Sequence, residues 1–144
     1  AGRAVRAMIE RGGQVRNETV LLRGVNDSGE VLGALLSGLT RVGVSPYYVF
    51  QCRPVTGVKD RFQVPLLEGI SIVDAAKAKQ NGFGKSIRYA MSHPRGKIEI
   101  IGGLPGGETV FKFHQSKDDA DIARVFTRKL SPGDTWLDGE LEGI

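Results

Sequence analysis

Three short groups of residues stand where chemistry could be done: Arg23-Gly24, Gln51-Cys52-Arg53, and Ser92-His93 with Arg95 and Lys97. Each follows a strand-length run of apolar and β-branched residues, and in parallel α/β sheets ligands gather at the C-terminal ends of the strands. The groups are basic and rich in donors, and the last two contain no carboxylate. Such a set suits an anionic ligand, a phosphate or a carboxylic acid, which guanidinium forks bind bidentately. Other chemistries are poorly supplied. His93 and His114 are the only histidines and have no Cys or carboxylate at ligand spacing, so no metal site is expected. Cys52 has no evident base and reads as packing. The run Gly102 to Gly107 lacks the helix and Lys-Ser/Thr of a phosphate loop and reads as a hairpin turn.

The elements that must position these residues follow from periodicity. Ala4, Val5, Met8 and Ile9 form the apolar stripe of a helix that stops at Gly12-Gly13. Val15 to Leu22 reads as a strand. Asn26-Asp27-Ser28 supplies N-cap candidates for a helix carrying Val31, Leu32, Leu35, Leu36 and Leu39 and ending at Gly43. Val44 to Phe50 is again strand-like, with Pro46 tolerated near its start. Gln51 to Pro65 reads as a long loop, Ile70 to Ala76 as a helix ending near Asn81-Gly82, and Ile87 to Met91 as a third strand. Lys97 to Ile101 and Thr109 to His114 flank the glycine run as a β-hairpin. From Ser116 the charges alternate, with Phe126, Leu130 and Trp136 as sparse anchors, which reads as an irregular tail folded over the hairpin or onto another subunit.

This order predicts an α/β fold: the C-terminal portion of a partial (β/α) TIM-like barrel over residues 1–95, then a β-hairpin and irregular C-terminal extension over 96–144. Three parallel strands leave a barrel incomplete and a sheet edge bare, so pairing with an upstream barrel segment or homo-oligomerisation is expected.

Composition narrows the class. The chain has 144 residues, 40% of them hydrophobic, which suits one domain with a real core. The 20 glycines are about twice the usual share of ~7% and imply tight turns or close backbone approaches. One cysteine excludes a disulfide framework and an iron–sulfur cluster ligated by this chain alone, and fits a reducing, cytoplasmic compartment. The net charge of +4 comes from interspersed charges without an aromatic-interleaved basic stripe, so no nucleic-acid partner is expected. No uncharged apolar run approaches the ~18 residues of a membrane span. The first residue is Ala, not Met, and the first helix has no cap, so the chain is expected to begin mid-sequence.

Longer motifs resemble a known family. Asn17-Glu18-Thr19-Val20-Leu21-Leu22-Arg23-Gly24-Val25-Asn26-Asp27-Ser28, then Pro46-Tyr47-Tyr48-Val49-Phe50-Gln51-Cys52, then Phe62 and Gly69-Ile70 resemble the second half of the lysine 2,3-aminomutase family of radical S-adenosylmethionine enzymes. The likeness runs over roughly residues 1 to 102. It implies a partial (β/α) barrel, an amino-acid substrate, and amino-group migration between adjacent carbons, using pyridoxal phosphate, S-adenosylmethionine and a [4Fe–4S] cluster. The family's three-cysteine cluster motif is absent from this chain. The cluster and S-adenosylmethionine are therefore expected in a longer parent, and the chain alone is expected to be colourless and inactive.

The resemblance also assigns roles. Lys97 matches the family's Schiff-base lysine, and a cationic neighbour such as Arg95 lowers the pKa of an ε-amine toward its nucleophilic form. Asn17 and Glu18 match an Asn-Gln pair near S-adenosylmethionine, Glu keeping an acceptor but losing the amide donors. Arg53 and Ser92 stand where the family has two Asp residues that hold the ammonium end of substrate lysine. An arginine there repels an ammonium, so lysine is not the expected substrate, and a glutamate-like or hydroxylated amino acid is. The family's Asp-Ala-Pro and glycine run before the lysine is shortened here to Ser92-His93-Pro94-Arg95-Gly96-Lys97. Without the resemblance, Lys97 is a solvated lysine opening a strand, Arg53 an exposed loop residue, and Asn17-Glu18 a polar strand start. A non-catalytic ligand-binding or oligomerisation module therefore stays open beside the enzyme.

Overall fold

The structure, a computed structural model, describes residues 2–137 and Leu141; Ala1 and the last residues of the extension, 138–140 and 142–144, lie outside them. The elements in chain order are α1 (Gly2–Glu10), β1 (Arg16–Leu21), α2 (Gly29–Arg41), β2 (Ser45–Gln51), α3 (Lys59–Phe62), α4 (Leu66–Ala78), β3 (Arg88–His93), β4 (Gly96–Gly103), β5 (Glu108–Ser116) and β6 (Val125–Lys129). The strands form one sheet in sequence order. β1, β2 and β3 are parallel, and from β3 onward each neighbour is antiparallel.

Local chemistry accounts for the elements. Ser28, in extended backbone, caps α2 by accepting the Val31 N–H at 3.2 Å. α2 turns Leu32 and Leu36 inward, and α4 turns Leu66, Ile72, Val73 and Ala76. The two helices touch closely because Gly29 has no side chain: a Cβ there would lie 2.6 Å from that of Ala75. Both pack on one face of the sheet, where Leu21, Val49, Tyr89, Met91, Ile98 and Phe111 complete a single core with them. α1 buries none of its residues and ends at Gly12, whose φ of 82° needs glycine.

Two sequence expectations change. The tail is not irregular, because Val125–Lys129 pairs with β5 as a sixth strand, preceded by a 3-10 turn at Asp119–Asp121. Phe126 is buried in the common core, with Leu130 and Trp136 packed against it, so the tail closes on its own chain and not on the hairpin alone. The long loop after β2 also contains the single turn α3, and α4 starts at Leu66, four residues before the expected Ile70.

Candidate functional site

Strand alternation gives the sheet a second face, opposite the helices. Tyr48 and Phe50 of β2 lie on it two residues apart with their rings stacked, 5.0 Å between centroids. Lys97, near the start of β4, lays its Nζ over both rings, 4.2 Å from the Tyr48 centroid and 5.3 Å from that of Phe50. An ammonium in this position is held by the ring quadrupoles. His114 of β5 meets the edge of Tyr48 at 6.0 Å, and Arg88 of β3 pairs through Nε with Glu99 of β4 at 3.1 Å. Burial, together with the neighbouring Tyr47 hydroxyl, pushes the Tyr48 hydroxyl up to about 12, so it is protonated at neutral pH.

The chain reversal between β3 and β4 sets Lys97 at the C-terminal edge of the parallel strands. Ser92 and Lys97 are direct partners across the antiparallel ladder, so the structure brings these two together. Arg95 stands apart from them. It lies in the turn, its Nη2 2.5 Å from Asp121 Oδ2 and its guanidinium over Phe113, while Arg124 holds the other oxygen of Asp121 at 2.7 Å. Phe113 belongs to the helix-side core, so Arg95 faces away from the Lys97 amine. Arg53 follows β2 at the same edge, exposed and without a side-chain partner among the described residues. Asn17 and Glu18 are separated by strand alternation: Asn17 turns toward the helices with its Oδ1 buried and unpartnered, and Glu18 is exposed on the other face beside Tyr48.

Of the remaining strand-end residues, Arg23 is engaged by a two-pronged pair with Glu68, 2.6 Å on each side, and by Asp27 at 3.3 Å, so it is not a free anion receptor. Cys52 is buried, which pushes its thiol pKa up and keeps it protonated. No group of three or more His, Cys, Asp or Glu side chains able to hold a metal exists among the described residues.

Gln51 carries a role that sequence reading missed. Its amide is buried, donates to the carbonyls of Val64 and Thr135 at 2.7 Å each, and accepts from the Tyr89 hydroxyl. Tyr89 reaches it by passing under α4 at Gly69, where a Cβ would lie 2.2 Å from the hydroxyl oxygen. This latch ties the end of β2, directly before Cys52-Arg53, to the tail. Beside it, Pro54, Lys59, Gln63, Gly133, Asp134, Thr135 and Trp136 line a cleft of about 290 Å³. The aromatic pair Tyr48 and Phe50 was also missed, although their i, i+2 spacing in a strand already puts both rings on one face.

Sequence comparison adds the following. No family model matches the chain. It is 38% identical over 142 residues to a protein of Aquifex aeolicus (strain VF5) named "Putative L-lysine 2,3-aminomutase", covering 99% of this chain and 37% of that protein. Over 81 residues it is 35% identical to the L-lysine 2,3-aminomutase of Clostridium subterminale, covering 56% of this chain and 19% of that protein. The L-lysine 2,3-aminomutase of Methanococcus maripaludis is 32% identical over 101 residues, 69% of this chain and 23% of the relative. The chain thus spans between about a fifth and a little over a third of the length of these relatives.

Proposed function

Because this chain belongs to the lysine 2,3-aminomutase family, we propose that it forms part of a radical S-adenosylmethionine enzyme that moves an amino group between adjacent carbons of an amino acid. In this reading the three parallel strands and their helices are a segment of a (β/α) barrel, and the helix-free face looks into it. The open edge of β1 is where an upstream strand pairs.

The observation that carries the reading is the setting of Lys97, on an aromatic floor at the C-terminal strand edge with Ser92 opposite. These residues fit pyridoxal phosphate: Lys97 is the amine that would hold it, and the partly exposed Phe50 ring, backed by the buried Tyr48, offers a surface for its ring. When bound, the cofactor would supply a conjugated π system on the substrate nitrogen that can take up an unpaired electron while the nitrogen changes carbon. Arg95 does not fit as a phosphate ligand, because its guanidinium is committed to Asp121. The residues do not fit an iron–sulfur cluster either, since Cys52 is the single cysteine and is buried. For S-adenosylmethionine, Asn17 and Glu18 face opposite sides of the sheet, so at most one of them reaches a ligand on the helix-free face, and Glu18 is the one on that side.

Arg53 and Ser92 set the preference. A guanidinium at the strand edge attracts a substrate carboxylate and repels an ammonium, and a charge-assisted hydrogen bond of that kind contributes about 1.5–3 kcal/mol. An acidic or hydroxylated amino acid is favoured over lysine. The test uses the protein at its natural length. With pyridoxal phosphate it is expected to give an absorption band near the visible, and borohydride reduction followed by peptide mapping is expected to leave the pyridoxyl group on Lys97. If Lys97→Ala keeps both band and adduct, the lysine assignment fails. If it loses them but Arg53→Asp leaves the choice between glutamate and lysine unchanged, only the substrate assignment fails.

A further inference from the structure

At the other end of the parallel strands the sheet opens into a second cleft, of about 300 Å³, lined by Arg16, Ser45, Pro46, Tyr47, Phe83, Ser86 and Arg88. We propose that this cleft is a binding site for a small phosphorylated aromatic molecule, with Arg16 and Arg88 on the phosphate and Phe83 and Tyr47 against the ring. Its lining holds two guanidinium groups and no carboxylate. Arg16 is exposed and rests on the Tyr47 ring, 5.0 Å from guanidinium carbon to centroid, with no acidic partner among the described residues. Arg88 spends its Nε on Glu99, which leaves its two terminal nitrogens for another acceptor.

The remaining walls supply the complement of an aryl group. Phe83 keeps 51% of its surface in contact with solvent, a flat apolar face beside the two cations. Ser45 and Ser86 add short hydroxyls at the rim. A guanidinium fork matches the geometry of a phosphate, and aromatic rings pair face-offset or edge-on with another ring. The volume is at the small end of ligand sites, which suits a single ring with its phosphate and not a dinucleotide. Lys97 does not line the cleft, although the two sites adjoin: Arg88 pairs across the ladder with Tyr48, whose ring carries the Lys97 Nζ at 4.2 Å, and the Tyr47 ring packs against that of Tyr48.

Calorimetric titration of the protein at its natural length tests this with three probes, phenyl phosphate, inorganic phosphate and phenol. Phenyl phosphate is expected to bind more tightly than either part alone, and more tightly at pH 7 than at pH 5 because the second phosphate ionisation lies near 6. Arg16→Ala is expected to weaken phenyl phosphate at least tenfold, with Arg16→Lys between it and the parent. Phe83→Ala is expected to weaken phenyl phosphate while leaving inorganic phosphate unchanged, and Lys97→Ala to change neither. Both arginine and phenylalanine variants alter exposed side chains, so the fold is retained. Absence of phenyl phosphate binding, binding indifferent to Arg16→Ala and Phe83→Ala, or binding abolished by Lys97→Ala would each overturn the proposal, the last by assigning the ligand to the lysine site.

Discussion

Glu68 and Arg23 show how a residue that reads as a ligand group becomes part of the scaffold. The hydrogen bonds from Arg23 hold the Glu68 carboxyl below its ordinary range, with the guanidinium charge adding to them. A depressed carboxylate pKa stabilises the fold above the unfolded value of about 4.3, and the contribution disappears as pH falls through the folded value. Both side chains are well exposed, so the effect is discounted to about 0.5–1 kcal/mol. Glu68→Gln is therefore expected to lower the urea midpoint at pH 7, with the difference from the parent shrinking as the pH falls below the unfolded carboxylate value. Gln51 matters more. Gln51→Leu strands the Tyr89 hydroxyl and the carbonyls of Val64 and Thr135 in the interior, and denaturant unfolding is expected to show a loss of about 2–4 kcal/mol. The sequence placed Gln51 at a strand end but gave no hint of this duty, because its partners lie 13, 38 and 84 residues away. Lys97 and Ser92 were read as one strand-end group but not as cross-strand partners, because the two-residue turn Pro94-Arg95 that pairs them carries no glycine at its centre to announce a hairpin. The engagement of Arg95 was hidden, because Asp121 sits 26 residues on in a turn with no periodic signal.

At the level of elements, legibility tracks apolar patterning and not burial, since α1 is read from its stripe although it buries nothing and β1 from its apolar run although only Leu21 is buried. β1, β2, β3 and the hairpin announce themselves by apolar runs or alternation. β6 does not: of its five residues only Phe126 is buried, and the rest read as a polar tail. That one side chain stacks on Phe111 at 5.4 Å and meets Phe113 in a tilted contact at 5.6 Å. Phe126→Ala is expected to cost about 3–5 kcal/mol and to release the last strand, seen as loss of amide protection over 125–129 in hydrogen exchange. The α4 crossing is set by Gly69. Gly69→Ala is expected to destabilise by about 1–3 kcal/mol through its clash with the Tyr89 hydroxyl, and in a Tyr89→Phe background the added cost is expected to shrink, a non-additivity measurable by a double-mutant cycle.

The whole molecule is covered on one face and open on the other. No described helix is long and apolar enough to cross a membrane. Helices shield one side of the sheet, whereas the other carries Val20 at 41% exposure on the edge strand β1, with Arg16 and Glu18 as its charged neighbours. Such an edge recruits another strand. The 144-residue chain is expected to scatter light as more than a monomer, and Val20→Lys to lower that mass; an unchanged monomeric mass in both would show that the edge is self-protecting. The antiparallel step from β3 to β4 has a practical side. It returns the chain to the Lys97 edge and sends β4 away, so the exposed tip Leu104–Gly107 ends up some six residues along the strand, about 20 Å from Lys97 at the usual rise. A peptide tag or fluorophore spliced between Pro105 and Gly106 would hang clear of the sheet, giving a handle for immobilising the protein with the lysine face turned toward solution.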